Sequence, residues 1–157
     1  MSPASETHRP VGEPAMLALG ETLARRLGPG LQVWLSGDLG AGKTTLVRGM
    51  LRGLGHEGRV KSPTYGLVES YALAGLNVHH LDLYRLTDPE ELDFIGLDEL
   101  IDADSLLLVE WPERGRRMLP AADVTIHIEP ADAADISAGR KVIIEGPGTR
   151  GQTLVGS

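Results

Sequence analysis

Short apolar runs and helix-like repeats alternate along the first third of this chain. Over residues 15–27, apolar side chains recur every three or four positions, and the pattern stops at Gly28. This spacing predicts an amphipathic helix. The compact apolar run over 31–35 then predicts a short buried strand, and a second helix is predicted from Thr45 towards Gly55.

The rest of the chain carries the patterns of five further strands. Two of them, over 65–72 and 76–83, flank an Ala-Gly turn and predict a hairpin. The segment 105–110 has four consecutive apolar residues, 106–109, and predicts a buried strand. Weaker apolar runs over 124–128 and 141–144 predict two more strands. A helix-start pattern, Asp-Pro-Glu-Glu, separates the hairpin from the buried strand.

The loop between the first predicted strand and the second predicted helix has the residue pattern of a phosphate-binding P-loop. Its sequence from Gly37 to Thr44 is GDLGAGKT, and the glycines permit a tight turn that points several backbone N–H groups at one phosphate. Lys43 is expected to reach the β- and γ-phosphates, and the Thr44 hydroxyl is expected to hold Mg²⁺. The predicted nucleotide-binding residues are Asp38, Leu39, Gly40, Ala41, Gly42, Lys43, Thr44 and Thr45.

A P-loop combined with at least five strands predicts a P-loop NTPase-like, three-layer α/β fold. Its central sheet is expected to be mixed, mostly parallel and flanked by helices. At 157 residues, the chain is long enough for one such domain, which is predicted to occupy residues 15–145. Residues 1–14 are polar and proline-bearing and are expected to form a disordered leader, and residues 146–157 are expected to form a flexible tail.

Two acidic residues could complete a site for phosphate chemistry, which needs a carboxylate near Mg²⁺ and a group that positions the attacking water. Glu110 ends an apolar strand, where a Walker B carboxylate belongs. It either binds the metal through water or orients the nucleophile, and the alternative is a strand-end acid that faces solvent. Asp82 lies between two leucines, so its side chain points away from theirs, towards the phosphates or towards water. Lys43, Asp82 and Glu110 are the predicted catalytic residues, and Thr44 and Glu110 are the predicted metal ligands.

Four residues near these motifs are candidate switch or partner contacts. Thr64 follows a predicted loop and a proline, so it could sense the γ-phosphate or belong to a proline-initiated turn. Arg85 could stabilise charge or face a partner, although an ordinary surface arginine is the favoured interpretation. Trp111 either packs in the core or contacts a partner, and Tyr84 is a further candidate contact.

Composition and charge limit the chemistry of the chain. The formal net charge of −7 at pH 7 argues against tight, direct binding of nucleic acid by this chain alone. The absence of cysteine excludes disulfides, thiolate metal sites and cysteine nucleophiles. His79 and His80 are adjacent on a strand, so they face opposite sides, and both are interpreted as structural. No apolar run has membrane-spanning length, and a soluble intracellular protein is expected.

The nucleotide is predicted to be ATP. GTPases read guanine with an Asn-Lys-x-Asp element, and Asn77, the only asparagine, is followed by valine. A small-molecule kinase, which transfers the γ-phosphate of ATP to a metabolite, is the alternative enzyme class. Such kinases need an arginine-bearing lid, and the cluster of Arg114, Arg116 and Arg117 is a poor substitute. A third class is a regulatory module that binds ATP to control a partner.

Four motifs occur in the order found in one family. They are GDLGAGKTT at 37–45, SPTY at 62–65, HLDLYRL at 80–86 and VEWP at 109–112. With these motifs, the chain resembles TsaE, the ATPase subunit of the bacterial complex that makes N6-threonylcarbamoyladenosine on tRNA. The resemblance implies a bacterial cytoplasmic protein that binds ATP and Mg²⁺ and hydrolyses ATP weakly alone. It also implies TsaB- and TsaD-like partners, with tRNA contacted only indirectly through the complex.

The resemblance further implies roles for individual residues. Thr44 and Glu110 match residues that serve the metal, and Asp82 matches an acid needed for activity. ATP hydrolysis is implied to reset the complex between turnovers, not to activate threonine or adenosine. Met16 stands where family members usually carry a threonine close to the nucleotide, so the base and ribose contacts are expected to differ while the phosphate site is kept.

Overall fold

The fold is built on one seven-stranded sheet, seen in a computed structural model that describes residues 4–38, 40–60, 67–73, 75–147, 151 and 154–155. The strands are β1 (Ala4–His8), β2 (Gln32–Ser36), β3 (Val68–Leu73), β4 (Leu76–Asp82), β5 (Ser105–Glu110), β6 (Val124–Pro130) and β7 (Arg140–Gly146). The helices are α1 (Glu13–Ala24), α2 (Lys43–Gly53), α3 (Glu91–Phe94) and α4 (Leu97–Leu100). Within these ranges, no helix is long and apolar enough to cross a bilayer.

The strand order across the sheet is β1-β7-β6-β2-β5-β4-β3. The neighbours β6, β2, β5 and β4 are parallel to one another, while β3 and β7 run antiparallel to the strands beside them. Since β1 is antiparallel to β7, it points the same way as the four central strands. The predicted α/β fold with a mixed, mostly parallel sheet is therefore confirmed. The carboxyl ends of β2, β4 and β5 meet at one edge, where α/β proteins usually bind ligands.

Helices α1 and α2 cover one face of the sheet and pack against each other through glycines. A Cβ atom built on Gly20 of α1 would lie 2.5 Å from the Leu46 carbonyl oxygen, and one built on Gly49 of α2 would overlap the Leu17 carbonyl oxygen. The absence of side chains at both glycines lets the helix backbones touch. The core beneath the two helices includes Val33, Leu35, Leu46, Val47, Met50, Leu106, Leu108 and Ile126.

Replacing Gly49 with alanine is expected to lower the free energy of unfolding by about 2 kcal/mol. Overpacking of up to about 3 kcal/mol outweighs the better helix propensity of alanine, which is about 1 kcal/mol. Gly28→Ala is the matched control, because a Cβ there meets nothing within 4 Å, and its effect is expected within about 0.5 kcal/mol. Urea unfolding measures both, and equal stability of the two variants would contradict the close helix contact.

A second core lies on the opposite face of the sheet. Leu81, Leu107 and Val109 reach it from β4 and β5, and they pack against Leu83, Leu86, Leu92, Leu97 and Leu119. Strand β5 is therefore covered on both faces, and all of its residues are buried. Because side chains alternate along a strand, Leu108 and Glu110 point to the face under α1 and α2.

The prediction of a disordered leader is wrong for residues 4–8. These residues form β1, which pairs with β7 along its whole length. The Glu6 carboxylate accepts hydrogen bonds from Arg26 and from the His8 ring. The strand is thus held by backbone hydrogen bonds to β7 and by polar side-chain contacts, one of them with Arg26 of a distant segment. Since it contains no apolar run, the apolar pattern of the sequence does not indicate it.

The prediction of a flexible tail is wrong at Val155. This side chain is buried in the core under α1 and α2, and its backbone N–H donates to the Gly151 carbonyl oxygen at 3.0 Å. Leu154, beside it, packs against the same core. Two adjacent apolar residues are too short a pattern to predict a packed segment, so only the fold reveals this contact.

Candidate functional site

The loop between β2 and α2 turns sharply and places the start of α2 at the carboxyl edge of the sheet. Strand β2 ends at Ser36, and α2 begins at Lys43, directly after Gly42. Gly42 has φ +112°, which L side chains rarely adopt, and a Cβ there would come within 3.0 Å of Met16 Cε. The backbone turn therefore requires glycine, whereas the flexible end of the Met16 side chain can shift to admit a Cβ atom. Leu39, also predicted here, lies outside the described residues.

Lys43 is buried at the base of this loop, with 5% of its surface exposed. Its ammonium group donates to the carbonyl oxygens of Gly37 and Asp38, the second at 3.0 Å, and lies 4.2 Å from the centre of the Trp111 ring. Burial lowers the pKa of Lys43, and nearby carboxylates, Glu110 above all, oppose this shift. Neutral carbonyl groups are weaker acceptors than a phosphate, so an anionic ligand can replace them.

Asp82 and Glu110 stand side by side at the ends of β4 and β5. They are direct partners in the parallel register, so both side chains are on the face under α1 and α2. Glu110 is 3% exposed, which shows that the solvent-facing alternative is wrong for it. Both acids line one cavity of about 250 Å³. The same cavity is lined by Gly40, Ala41, Gly42, Lys43, Thr44, Thr45, Tyr84 and Trp111.

The surroundings of Asp82 disfavour its charge. Burial raises the pKa of Asp82, and the neighbouring Glu110 raises it further, while a hydrogen bond from the Tyr84 N–H to Oδ1, at 3.1 Å, opposes the shift. Because the folded-state pKa lies above the ordinary value of 3.8, the folded protein keeps this proton at pH values where the unfolded chain has lost it. The free energy of unfolding therefore decreases as pH rises from 3.8 through the folded-state pKa of Asp82. This lower stability persists at pH 7.

Asp82→Asn is expected to stabilise the ligand-free protein at pH 7 by about 0.5–2 kcal/mol, because it removes a buried charge beside Glu110. The gain should disappear below the ordinary aspartate pKa of 3.8, where the carboxyl is protonated in both states. Urea unfolding at the two pH values measures this difference. Asp93→Asn, at an exposed acid, serves as the control. A less stable Asp82→Asn protein at pH 7 would contradict the expectation.

The donor set of this cavity suits a hard divalent cation. Thr44 offers a hydroxyl oxygen, and Asp82 and Glu110 offer carboxylates. Across the part of the chain that the structure describes, no three His, Asp or Glu side chains form a metal cluster. Mg²⁺ at nucleotides is held by one or two protein oxygens, completed by water and phosphate. The residues present therefore fit a nucleotide-bound Mg²⁺, with Thr44 and Glu110 as the protein donors.

A second cavity, of about 370 Å³, adjoins the first across the loop. Two loop glycines and Thr45 line both cavities. Met16 lines the second cavity, and Arg140 Nε donates to the Ala41 carbonyl oxygen at 3.2 Å. Its other walls are Pro10, Val11, Gly12, Glu13, Ser137 and Gly139. The sequence does not indicate this wall, because only the pairing of distant segments brings it beside the P-loop.

Tyr84 and Trp111 form an aromatic rim on the first cavity. Their ring centres are 5.0 Å apart, and Tyr84 is 37% exposed. Trp111 has φ +58°, and no other non-glycine residue in the described ranges has a positive φ. This conformation is uncommon for a bulky side chain. The turn directly after Glu110 thus places the indole beside Lys43, while the same ring also packs against the second core.

The remaining predicted positions contribute less to this cavity. Arg85 is exposed, which fits the favoured interpretation of a surface arginine. Thr64 lies outside the described residues. Arg114 and Arg116 each lie 5.7 Å from an aromatic ring of the chain itself, an arrangement that differs from the arginine lid of a small-molecule kinase.

A contact that the sequence does not indicate joins His80 to Glu110. His80 Nε2 lies 2.5 Å from Glu110 Oε2, and both side chains are buried. His79 faces the other side of β4, as strand alternation predicts, and its ring bonds to the hydroxyl groups of Ser70 and Ser105. Both histidines were interpreted as structural. The sequence does not distinguish them, because the contact between His80 and Glu110 depends on the register between β4 and β5.

Comparison with known proteins identifies the relatives of this chain. The family model described as "Threonylcarbamoyl adenosine biosynthesis protein TsaE" matches residues 12–142. The tRNA threonylcarbamoyladenosine biosynthesis protein TsaE of Haemophilus influenzae is 57% identical over 104 residues, which cover 66% of this chain and 66% of that protein. The Streptomyces coelicolor protein of the same name is 38% identical over 141 residues, covering 88% of this chain and 95% of that protein.

A solved structure agrees with these sequence matches. The crystal structure of Bacillus subtilis YdiB matches with a TM-score of 0.79 at 28% identity, and the match covers 98% of this chain and 93% of that chain. The chain spans just under two thirds of the Haemophilus influenzae relative and most of the Streptomyces coelicolor one. Because the family model covers more than half of the chain and includes the P-loop, Asp82 and Glu110, the chain belongs to the TsaE family of tRNA threonylcarbamoyladenosine biosynthesis proteins.

Proposed function

We propose that this chain binds ATP with Mg²⁺ at the P-loop cavity and hydrolyses it, as the ATPase subunit of a complex that makes threonylcarbamoyladenosine on tRNA. The observation that carries this proposal is the convergence of Lys43, Thr44, Asp82 and Glu110 on one cavity. A phosphate-binding cation, a hydroxyl suited to Mg²⁺ and two carboxylates are the groups that phosphoryl transfer to water needs. The family name supplies the biological setting.

In this proposal, the loop and the first turn of α2 bind the triphosphate. Backbone N–H groups at the start of α2 face the phosphates, and the helix dipole favours their negative charge. Lys43 exchanges the carbonyl oxygens of Gly37 and Asp38 for phosphate oxygens, which are stronger acceptors because they are charged. The Trp111 ring keeps the ammonium group at the cavity wall through a cation–π contact.

The two carboxylates divide the remaining tasks. Thr44 and Glu110 would hold Mg²⁺, which when bound neutralises charge on the phosphate oxygens. Asp82 is then the group that positions the attacking water. Its raised pKa supports this assignment, because a carboxylate with a raised pKa is the better proton acceptor.

The second cavity is the proposed site of the adenosine part of ATP. It continues the phosphate cavity across the loop glycines, so a bound nucleotide extends from one into the other. Met16 supplies an apolar surface there, and Arg140 is held at the opening by its bond to the Ala41 carbonyl. A methionine in place of the family threonine changes a polar contact into a packing contact.

The proposed partners are TsaB- and TsaD-like proteins. The net charge of −7 supports a division of labour in which the partners hold the tRNA, since binding of a polyanion requires positive charge. A subunit of this kind hydrolyses ATP slowly alone and faster in the complex. The proposed localisation is the cytoplasm of a bacterium.

Phosphate release from ATP tests this function. The purified chain is assayed with Mg²⁺, alone and with TsaB- and TsaD-like proteins of the same organism. Slow release alone and faster release with both partners are expected. No release under either condition would contradict the proposed ATPase. Transfer of the γ-phosphate to a metabolite without partners would instead support a small-molecule kinase.

A further inference from the structure

A buried histidine, His80, is hydrogen-bonded to Glu110, the candidate metal ligand. His80 is fully buried on β4, on the same strand face as Asp82. Its Nε2 atom lies 2.5 Å from Oε2 of Glu110, a residue that is 3% exposed. The other ring nitrogen, Nδ1, has no hydrogen-bond partner among the described residues. Among the described residues, Glu110 is thus the hydrogen-bond partner of this ring.

The surroundings of His80 make this bond costly to lose. Its direct register partner on β5 is Leu108, and Val78 precedes it on the same face of β4. A polar ring in such an apolar layer is destabilising unless it is hydrogen-bonded. An apolar side chain of similar size would fill the same volume without that cost. Packing alone therefore does not explain a histidine at this position.

The bond also determines where the ring proton lies. A metal ligand must be deprotonated, and a carboxylate only accepts hydrogen bonds. The proton of the hydrogen bond between Nε2 and Oε2 is then carried by the histidine ring, whereas Nδ1 has no hydrogen-bond partner among the described residues. One oxygen of Glu110 is held by the ring in this way, while the residue still lines the cavity.

We propose that His80 is a positioning residue that orients the Glu110 carboxylate for Mg²⁺ at the nucleotide. The inference rests on the proposed ATPase function and adds one residue to it. Ligating carboxylates are usually held by a second hydrogen bond, and loss of such a bond typically reduces metal affinity or activity about 10- to 100-fold. His80 itself is not among the residues that line the P-loop cavity.

Two substitutions separate positioning from packing. His80→Gln keeps an N–H donor near the place of Nε2, whereas His80→Leu fills the site and removes the donor. His80→Leu is expected to raise the half-saturating Mg²⁺ concentration, or to lower kcat, by about 10- to 100-fold, with ATP affinity in EDTA unchanged. His80→Gln should recover most of the loss. His79→Leu, on the opposite face of the same strand, should change neither quantity.

The outcomes distinguish this inference from the proposed function. If the wild-type chain neither binds nor hydrolyses ATP, the proposed function fails. If wild-type hydrolysis persists unchanged in His80→Leu, only the positioning role fails. Equal losses in His80→Gln and His80→Leu would show that ring shape matters rather than the donor, and would also overturn it.

A readout without nucleotide completes the test. Long-range ¹H–¹⁵N NMR correlations of the histidine rings distinguish a proton on Nε2 from a proton on Nδ1. The wild-type protein should show a proton on Nε2 of His80, and Glu110→Ala should perturb that signal far more than the signal of His79. A His80 ring with no proton on Nε2, or no response to Glu110→Ala, would overturn the inference.

Discussion

Lys43→Ala is expected to reduce the affinity for ATP by about 100-fold or more. Two charge-assisted hydrogen bonds to phosphate are each worth about 1.5–3 kcal/mol, and each 1.4 kcal/mol corresponds to a factor of about ten. Lys43 lies at the base of the loop, and its present acceptors are two carbonyl groups that a phosphate can replace. Isothermal titration with ATP and Mg²⁺ measures the loss.

Lys141→Ala is the matched control for this experiment. Lys141 lies on β7, is partly exposed and faces Glu129 at 4.0 Å, so its removal should leave ATP affinity unchanged. Circular dichroism shows whether both variants are folded. Folded Lys43→Ala protein with wild-type affinity would remove the P-loop lysine from the account.

Glu110→Gln is expected to lower ATP turnover by about 100-fold or more, because a bound Mg²⁺ would stabilise charge in the transition state by several kcal/mol and each 1.36 kcal/mol corresponds to a factor of about ten in rate. The amide keeps the size of the side chain in its buried position but removes the negative charge. Binding of ATP without Mg²⁺ should persist, since the backbone loop and Lys43 supply it. Steady-state phosphate release and titration in EDTA measure the two effects.

Glu113→Gln is the control for Glu110. Glu113 follows Glu110 by three residues and is exposed, and it is not among the residues that line the P-loop cavity. Turnover in this variant should stay close to that of the wild type. A Glu110→Gln protein with unchanged turnover would remove Glu110 from its proposed role.

The parts of the fold and site that the sequence predicted depend on local patterns. The run from Gly37 to Thr44 predicts its own turn, because the glycines and the lysine act within one loop. The alternation around Asp82 predicts a strand over 76–83, and the apolar run before Glu110 predicts a strand that ends in that acid. Both acids are therefore predicted to belong to one phosphate site, and the structure places them in one cavity.

The parts that were missed depend on register and on contacts between distant segments. Strand β1 is polar and is paired through its backbone with β7, and Val155 becomes buried only when the tail meets α1 and α2. Arg140 reaches the P-loop because β7 follows β6 back across the sheet. The bond between His80 and Glu110 needs the register of β4 against β5. No pattern within one segment contains this information.

Calorimetric titration of the folded chain with ATP in the presence of Mg²⁺ is the decisive experiment for nucleotide binding at the P-loop. We expect saturable heat at one site per chain and its loss in Lys43→Ala. A folded wild-type protein that releases no heat with ATP and Mg²⁺, and does not compete for a fluorescent ATP analogue, would contradict it.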